Sequence, residues 1–331
     1  MATLKDIAQR AGVTATTVSR VINNRGYISE GTRKKVYAAM EEMHYQPNEL
    51  ARAFSKQYTN TIGLIVPHIS HPFFIKVISN LESSAAEKGF KLLLCNSKEQ
   101  PEKEQDYLDM CISNRVAGIV LCSKYVQTRE FRKMNIPVVN LERGGDDDTI
   151  SVQCDNYQGG KLAAEHLIEC GCKNLLHFGG VAGKDMPADR RADGFSDVCK
   201  KAGIPYRILV SDRLQYGSMH YEDFIRRALQ EFPDVDGIFA SSDLIASQVI
   251  QVGAQMGKRV PEDIQLIGFD DVMISTVTTP QITTIHQPVE EMTELCVEYI
   301  AKSLKNESVP QKIVLPVRLV QRGTTVLKTK I

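Results

Sequence analysis

Near the start of the chain, Thr14, Thr16, Thr17, Ser19, Arg20 and Asn23 bring together hydroxyls, small side chains and a single guanidinium. Hydroxyls can bond phosphate oxygens, small residues allow close approach, and a guanidinium can grip the O6 and N7 edge of guanine with two parallel hydrogen bonds. These groups act together only if one element presents them on one face. Val18, Val21 and Ile22 recur at helical spacing, so a short helix capped by Thr14 would turn an apolar edge to a core and the polar edge outward. Before it, Thr3 with Asp6 three positions later forms a capping-box start, and Leu4, Ile7, Ala8 and Ala11 share a helical face. Gly12 sits where that first helix must stop and the chain must turn sharply. Ser29 opens a third helix, whose Val36, Met40 and Met43 complete a miniature core. Two short helices joined by a tight turn, the second polar on its free edge, make a helix-turn-helix suited to double-stranded DNA.

The rest of the chain carries no catalytic constellation. GGVAGKD at 179–185 has glycine spacing one short of a phosphate loop and no Ser or Thr after Lys184. GGDDD at 144–148 reads as a solvated loop, and the seven histidines show no metal-binding spacing. Of the eight cysteines only Cys170 and Cys172 lie close together, and C-x-C without a second pair is a poor zinc site, so all eight are expected as reduced thiols. No metal and no cofactor are expected.

A chain of 331 residues exceeds one ordinary core, and its 43% hydrophobic content is that of a globular protein. The formal net charge is zero but unevenly placed: residues 1–58 hold nine Lys and Arg against five Asp and Glu, leaving that segment at +4 and the remainder at −4. The basic end is the helix-turn-helix end. The N-terminus enters a capped helix directly, and no run of eighteen apolar residues occurs, so no membrane partner and a cytoplasmic location are expected.

Residues 48–56 form a segment shorter than the roughly 12 to 15 residues an isolated helix needs to persist in water, with Leu50 and Phe54 four apart on one face. From Thr61 the texture changes. The strand-like runs TIGLIV, FKLLLC, GIVLC and PVVNL alternate with helical stretches, and a second set, NLLHFG, RILV, DGIFA and IQLIGF, does the same. Two sets of strand-helix units imply two doubly wound parallel sheets, with ligands at the carboxyl ends of the strands. The expected division is a DNA-binding domain over 1–58 and a second domain over 59–331.

The run LKDIAQRAGVTATTVSRVINNRGYISEGTRKKV, the later PNELARAF, and the GLIVP, DNYQGG, RADGF, LIGFDD and TTIHQP stretches resemble the lactose-repressor (LacI/GalR) family of bacterial transcription regulators over nearly the whole chain. The resemblance implies a homodimeric, allosteric repressor that binds palindromic operator DNA. It implies that 48–56 is a hinge, and that 288–317 returns to a first lobe over 61–157 and 318–331 to a second over 158–287. The hinge helices order on the operator, with Leu50 packed against its partner copy and Phe54, where relatives usually carry leucine, wedged into the minor groove. It also implies a sugar or sugar phosphate in a cleft like that of periplasmic sugar-binding proteins, contacted by Phe73, Phe74, Glu142, Arg191, Asp243 and Asp270. The aromatic rings would take the apolar side of a sugar and the charged groups its hydroxyls. The alternatives are a global regulator of the same family controlled by a phosphorylated carrier protein, and a sugar-binding protein without a regulatory role. The reading head argues against the second.

Overall fold

The structure is a computed structural model that describes residues 2–23, 25–45, 58–123, 136–143, 149–181 and 186–328. The chain falls into two units, Met1–Asn60 and Thr61–Ile331, a border two residues beyond the expected one.

In the first unit, α1 (Leu4–Ala11), α2 (Ala15–Ile22) and α3 (Glu30–Glu42) enclose Ile7, Ala8, Val18, Val21, Val36 and Ala39. The capping box forms as its residues dictate. The Thr3 backbone N–H donates to Asp6 at 2.7 Å, and Thr3 Oγ1 accepts from the Asp6 N–H. Gly12 ends α1 at φ 65°, in the left-handed region where a side chain would be strained. Arg10 pairs with Glu42 at 2.5 Å, tying α1 to the end of α3 across the surface.

The second unit runs β1 (Thr61–Val66), α4 (Pro72–Glu87), β2 (Lys91–Asn96), α5 (Pro101–Ser113), β3 (Gly118–Leu121), β4 (Val138–Leu141) and β5 (Ile150–Cys154). Next come α6 (Asn156–Glu169), β6 (Leu175–Val181), a short 3-10 turn at Pro187–Asp189, α7 (Arg190–Ala202) and β7 (Tyr206–Ser211). After these come α8 (Arg213–Ser218), α9 (Glu222–Glu231), β8 (Gly237–Ala240), α10 (Asp243–Gln255), β9 (Gln265–Asp270) and α11 (Ile274–Val277). The chain closes with β10 (Thr283–His286), α12 (Val289–Ser303), β11 (Lys312–Leu315) and β12 (Arg318–Val320).

The strands form two six-stranded sheets, ordered β11-β5-β4-β3-β1-β2 and β12-β10-β9-β8-β6-β7. All pairings are parallel except β12 against β10. Central strands β3, β4 and β8 are buried along their whole length, as parallel strands covered on both faces must be. The chain passes between the sheets after β5, after β10 and after β11, so neither lobe is one continuous segment. Buried residues of both lobes, from Val152 and Cys154 to Phe269 and Ile285, form one hydrophobic cluster through this waist.

Strands β5, β10, β11 and β12 were not separately legible in the sequence. β5 (ISVQC) and β10 (TTIH) interleave polar residues, and β11 (KIVL) and β12 (RLV) are runs of only four and three residues at the sheet ends. Helix α8 stops at Met219, which takes φ 61°, and α9 begins at Glu222.

Candidate functional site

In the first unit the residues expected to form the reading edge lie on α2 or at its two caps. Thr14 caps α2 by accepting from the Thr17 N–H at 3.1 Å, and the two hydroxyls share a hydrogen bond of 2.9 Å. Thr16 and Arg20 are exposed, Thr17 and Ser19 partly so. Asn23 is used differently: its amide donates to the Ser19 carbonyl at 2.9 Å and closes the end of α2. Arg33 is half-buried and Lys34 and Lys35 are exposed along α3, adding positive charge to the unit. Leu50 and Phe54 lie outside the described residues.

In the second unit a cavity of about 150 Å³ opens between the lobes at the carboxyl ends of both sheets. Phe73, Phe74, Glu142, Arg191 and Asp270 all line it. Their positions are equivalent in the two sheets. Phe73 and Phe74 follow β1 and Arg191 follows β6, the fifth strands in the two orders, while Glu142 follows β4 and Asp270 ends β9, the third strands. Both carboxylates sit at positive φ, 49° for Glu142 and 107° for Asp270, and Asp271 follows at 54°. Non-glycine residues are rarely held there unless the surroundings fix them, and such strain concentrates at functional sites.

Arg191 is held on three sides. Its Nε donates to Asn156 Oδ1 at 2.7 Å, its Nη1 donates to the Ser241 carbonyl at 2.6 Å, and its guanidinium lies 3.5 Å from the centre of the Phe269 ring. The glycines of DNYQGG and RADGF create this seat. A Cβ on Gly160 would stand 2.0 Å from the Arg191 carbonyl oxygen, one on Gly194 the same distance from that of Tyr157, and one on Gly159 would strike the Phe269 ring. Only glycine lets α6 and α7 cross so closely. Asn156, at the first crossing, also donates through Nδ2 to Glu142 Oε2 at 3.0 Å, so a hydrogen-bonded chain runs from Glu142 in one lobe to Arg191 in the other.

Asp270 accepts from Gln287 Nε2 at 2.6 Å, Gln287 standing at the second crossing. Burial pushes the Asp270 carboxyl up to about 7, against the pull of Arg191 and the Gln287 hydrogen bond. Beside it, Asp271 takes hydrogen bonds from Arg322 at 2.6 Å and His286 at 2.8 Å, which hold it below the usual carboxylate range although burial opposes them. Lys76 of the first lobe donates to the Asp271 carbonyl at 3.0 Å.

Asp243 corrects the expectation. It does not line the cavity; it is fully buried, with Oδ1 accepting from the Thr284 hydroxyl at 2.6 Å and Oδ2 from the Val272 N–H at 2.9 Å. Burial pushes its carboxyl well above the usual range. It fixes the turn after Asp270, while its neighbour Ser242 caps α10 and reaches the cavity wall.

Four lining residues went unread in the sequence. His71 caps α4, with Nδ1 accepting from the Phe73 N–H at 3.2 Å. Burial, then the nearby His68 and Arg191, push its imidazole down to about 4, so it faces the cavity neutral. Tyr216 on α8 meets His68 of the first lobe edge-on at 5.4 Å. Ser123 and Gln287 each bring a buried oxygen, Oγ and Oε1, that has no hydrogen-bond partner among the described residues. A ligand hydroxyl would satisfy either. The SSD and LIGFDD runs mark such loop positions, but no periodic signal distinguishes a crossing residue like Gln287 from any surface glutamine.

All eight cysteines are buried and free, and among the described residues no cluster could hold a metal ion. No helix of the described residues is long and apolar enough to cross a membrane.

Residues 3–48 match the model of bacterial regulatory proteins, lacI family, and residues 164–325 that of a periplasmic binding protein-like domain. The chain is 33% identical over 326 residues to the ribose operon repressor of Halalkalibacterium halodurans, covering 98% of this chain and 97% of the relative. It is 34% identical over 329 residues to the sucrose operon repressor of Pediococcus pentosaceus, covering 97% and 98%. A periplasmic binding protein/LacI transcriptional regulator from Alkaliphilus metalliredigens, solved in complex with D-xylulofuranose, superposes with a TM-score of 0.74 at 33% identity, over 81% of this chain and 100% of that one. With a reading head in one unit, a cleft between two parallel sheets in the other, and full-length kinship to operon repressors, the chain belongs to the lacI family of bacterial regulatory proteins and is a transcriptional repressor rather than an enzyme.

Proposed function

We propose that this chain acts in the cytoplasm as a homodimer on a palindromic operator of a carbohydrate-utilisation operon, and that a small carbohydrate in the cleft sets its affinity for that operator. The observation that carries the reading is the placement of Phe73 and Phe74 across one cavity from Arg191 and Asp270, in a chain that begins with a helix-turn-helix. Aromatic faces take the C–H side of a sugar ring, and a guanidinium and a carboxylate take its hydroxyls, leaving buried polar groups satisfied only when the right ligand is bound. The names of the relatives, ribose and sucrose operon repressors, and the D-xylulofuranose held by the structural neighbour point the same way.

The dimer follows from operator geometry, since a two-fold protein meets two half-sites in successive major grooves. A ligand that grips both lobes has different affinity for open and closed arrangements, and that difference is the free energy available to move operator affinity. The test is operator selection from random DNA with the full chain, followed by affinity measurements with and without a carbohydrate panel. A palindromic site whose affinity shifts with one carbohydrate is expected. A site indifferent to every carbohydrate would remove the effector half of the reading, and recovery of no site the other half.

A further inference from the structure

Resting on the carbohydrate reading, we infer that Lys76 is a positioning residue for the switch: its ammonium latches the closed arrangement of the lobes through the Asp271 carbonyl, without touching the effector. Lys76 lies on α4 of the first lobe and Asp271 follows β9 of the second, and the hydrogen bond between them spans 3.0 Å. Lys76 is not among the described residues that line the cavity.

Both ends of the bond are fixed within their own lobes. Phe73, Phe74, Val77 and Leu81 bury one face of α4 in the core, and Asn80 Nδ2 donates to the Lys76 carbonyl at 3.0 Å. Across the cleft, Arg322 and His286 hold the Asp271 carboxylate, and Asp243 accepts from the next N–H, that of Val272, at 2.9 Å. With its side chain and the following peptide held inside the second lobe, Asp271 presents its carbonyl to the first. The bond lasts only while the two lips stay within reach of one lysine stem.

Position makes this bond part of the switch. The Asn156 and Gln287 bonds sit at crossings, where the chain itself keeps the partners together. Away from the crossings the lobes also meet where His68 touches Tyr216 edge-on at 5.4 Å, a ring contact weaker than a hydrogen bond from a charged donor. Asp271 shares with Asp270 a turn held at positive φ, 54° and 107°, so an effector that draws on the Asp270 carboxylate carries with it the carbonyl that Lys76 grips. A contact made only in the closed arrangement shifts the lobe equilibrium and lowers the cost of closing for the effector, while leaving intact the groups that recognise it.

The experiment compares the full chain with Lys76→Met, which keeps the stem and the helix but removes the donor, and with Lys76→Arg, which restores one. Hydrogen exchange without any sugar is read first. Lys76→Met should raise exchange by about three- to tenfold over 213–219, the lip that meets His68 rather than Lys76, and leave the strands of both sheets unchanged. The probes for binding are D-ribose, D-fructose, D-glucose and sucrose. For the sugar that binds, Lys76→Met should weaken affinity by about three- to tenfold and move effector-free operator affinity in the direction opposite to the sugar's own effect. Lys76→Arg should return all three readouts toward the wild type. A loss of sugar affinity alone would mark only the charge that Lys76 places near Asp270, and would overturn the latch. So would extra exchange confined to the Asp271 turn, or operator affinity that moves with the sugar's effect. Binding of none of the sugars would count against the carbohydrate reading by itself, and the exchange over 213–219 would still uphold or overturn the latch.

Discussion

Asn156 accepts from Arg191 Nε at 2.7 Å through its carbonyl oxygen and donates to Glu142 at 3.0 Å through its amide nitrogen, so one side chain at a lobe crossing holds a functional group from each lobe. An amide is suited to this place: a carboxylate could not donate to Glu142, and an amine could not accept from Arg191. Asn156→Ala should therefore leave two buried charged groups each short of a partner. The expected loss is about 1–3 kcal/mol of unfolding free energy and at least about a tenfold loss of effector affinity, read by urea unfolding and calorimetry. Wild-type values for both would show that the relay is incidental.

Arg191 should bear on the ligand rather than on DNA. Arg191→Ala is expected to weaken carbohydrate binding by about tenfold or more and to leave operator affinity without effector unchanged. Arg191→Lys should recover little, since an ammonium cannot lie flat on Phe269 while donating to Asn156 and Ser241.

The two buried aspartates should separate cleanly. Asp243→Ala removes the acceptor of Thr284 and Val272 and should cost about 1–3 kcal/mol of stability. Asp270→Asn removes a carboxyl whose ionisation the fold disfavours, so at pH 8 it should raise stability, by a few kcal/mol at most, while abolishing tight carbohydrate binding. Unfolding midpoints of the two variants moving in the same direction would contradict this division.

Acid sensitivity has a sign that can be worked out. Between about pH 4 and 7 native Asp270 keeps a proton that the unfolded chain has lost, so its contribution is full below about 4 and fades as pH rises to about 7. His71 and His177, both pushed by burial down to about 4, act in reverse: the unfolded chain takes up protons below 6.5 that the native state refuses, and stability is lost as pH falls from 6.5 to about 4. Asp243, whose carboxyl burial also pushes up, acts with Asp270 and opposes the two histidines, so what has a definite sign is the effect of removing one carboxylate. In urea unfolding across pH 4.5 to 7.5, Asp270→Asn should lose more stability on acidification than the wild type. Ligand hydroxyls that donate to ionised Asp270 should also make carbohydrate affinity rise from pH 6 to 8.

On the reading head, Arg20→Ala should cost about 1–3 kcal/mol of operator affinity and relax one position of the selected site. Asn23→Ala should act mainly through the end of α2, because its amide is spent on Ser19.

The head was legible almost residue by residue because its signals are local: Thr3 and Asp6 are three positions apart, Gly12 ends a helix, and Val18 and Val21 share a face. The cleft was legible only in part. Its residues lie at strand ends, which the runs of β1, β4, β6 and β9 mark, but which of them turn inward depends on partners 14 to 50 positions away. Asp243 shows the limit. A strand-end aspartate before a helix could face the cleft or brace it, and only the reach of Thr284 and Val272, 41 and 29 positions on, decides. His71 and Gln287 carried no sequence signal at all, since neither repeats, pairs or patterns with its neighbours.

The three crossings between lobes bear on how new members of such a lineage can arise. Because β11 joins the first sheet beside β5, with Lys312 opposite Ser151, and β12 joins the second beside β10, neither lobe corresponds to an unbroken stretch of gene. One recombination breakpoint between two diverged relatives, placed between β6 and β10, therefore yields two chimaeric lobes, each with a parental border running through its own sheet. Exchanging a whole lobe would take several coordinated breakpoints. Changes of effector are thus channelled into single substitutions at strand ends, where the seats of Arg191, Glu142 and Asp270 can be altered without disturbing either sheet.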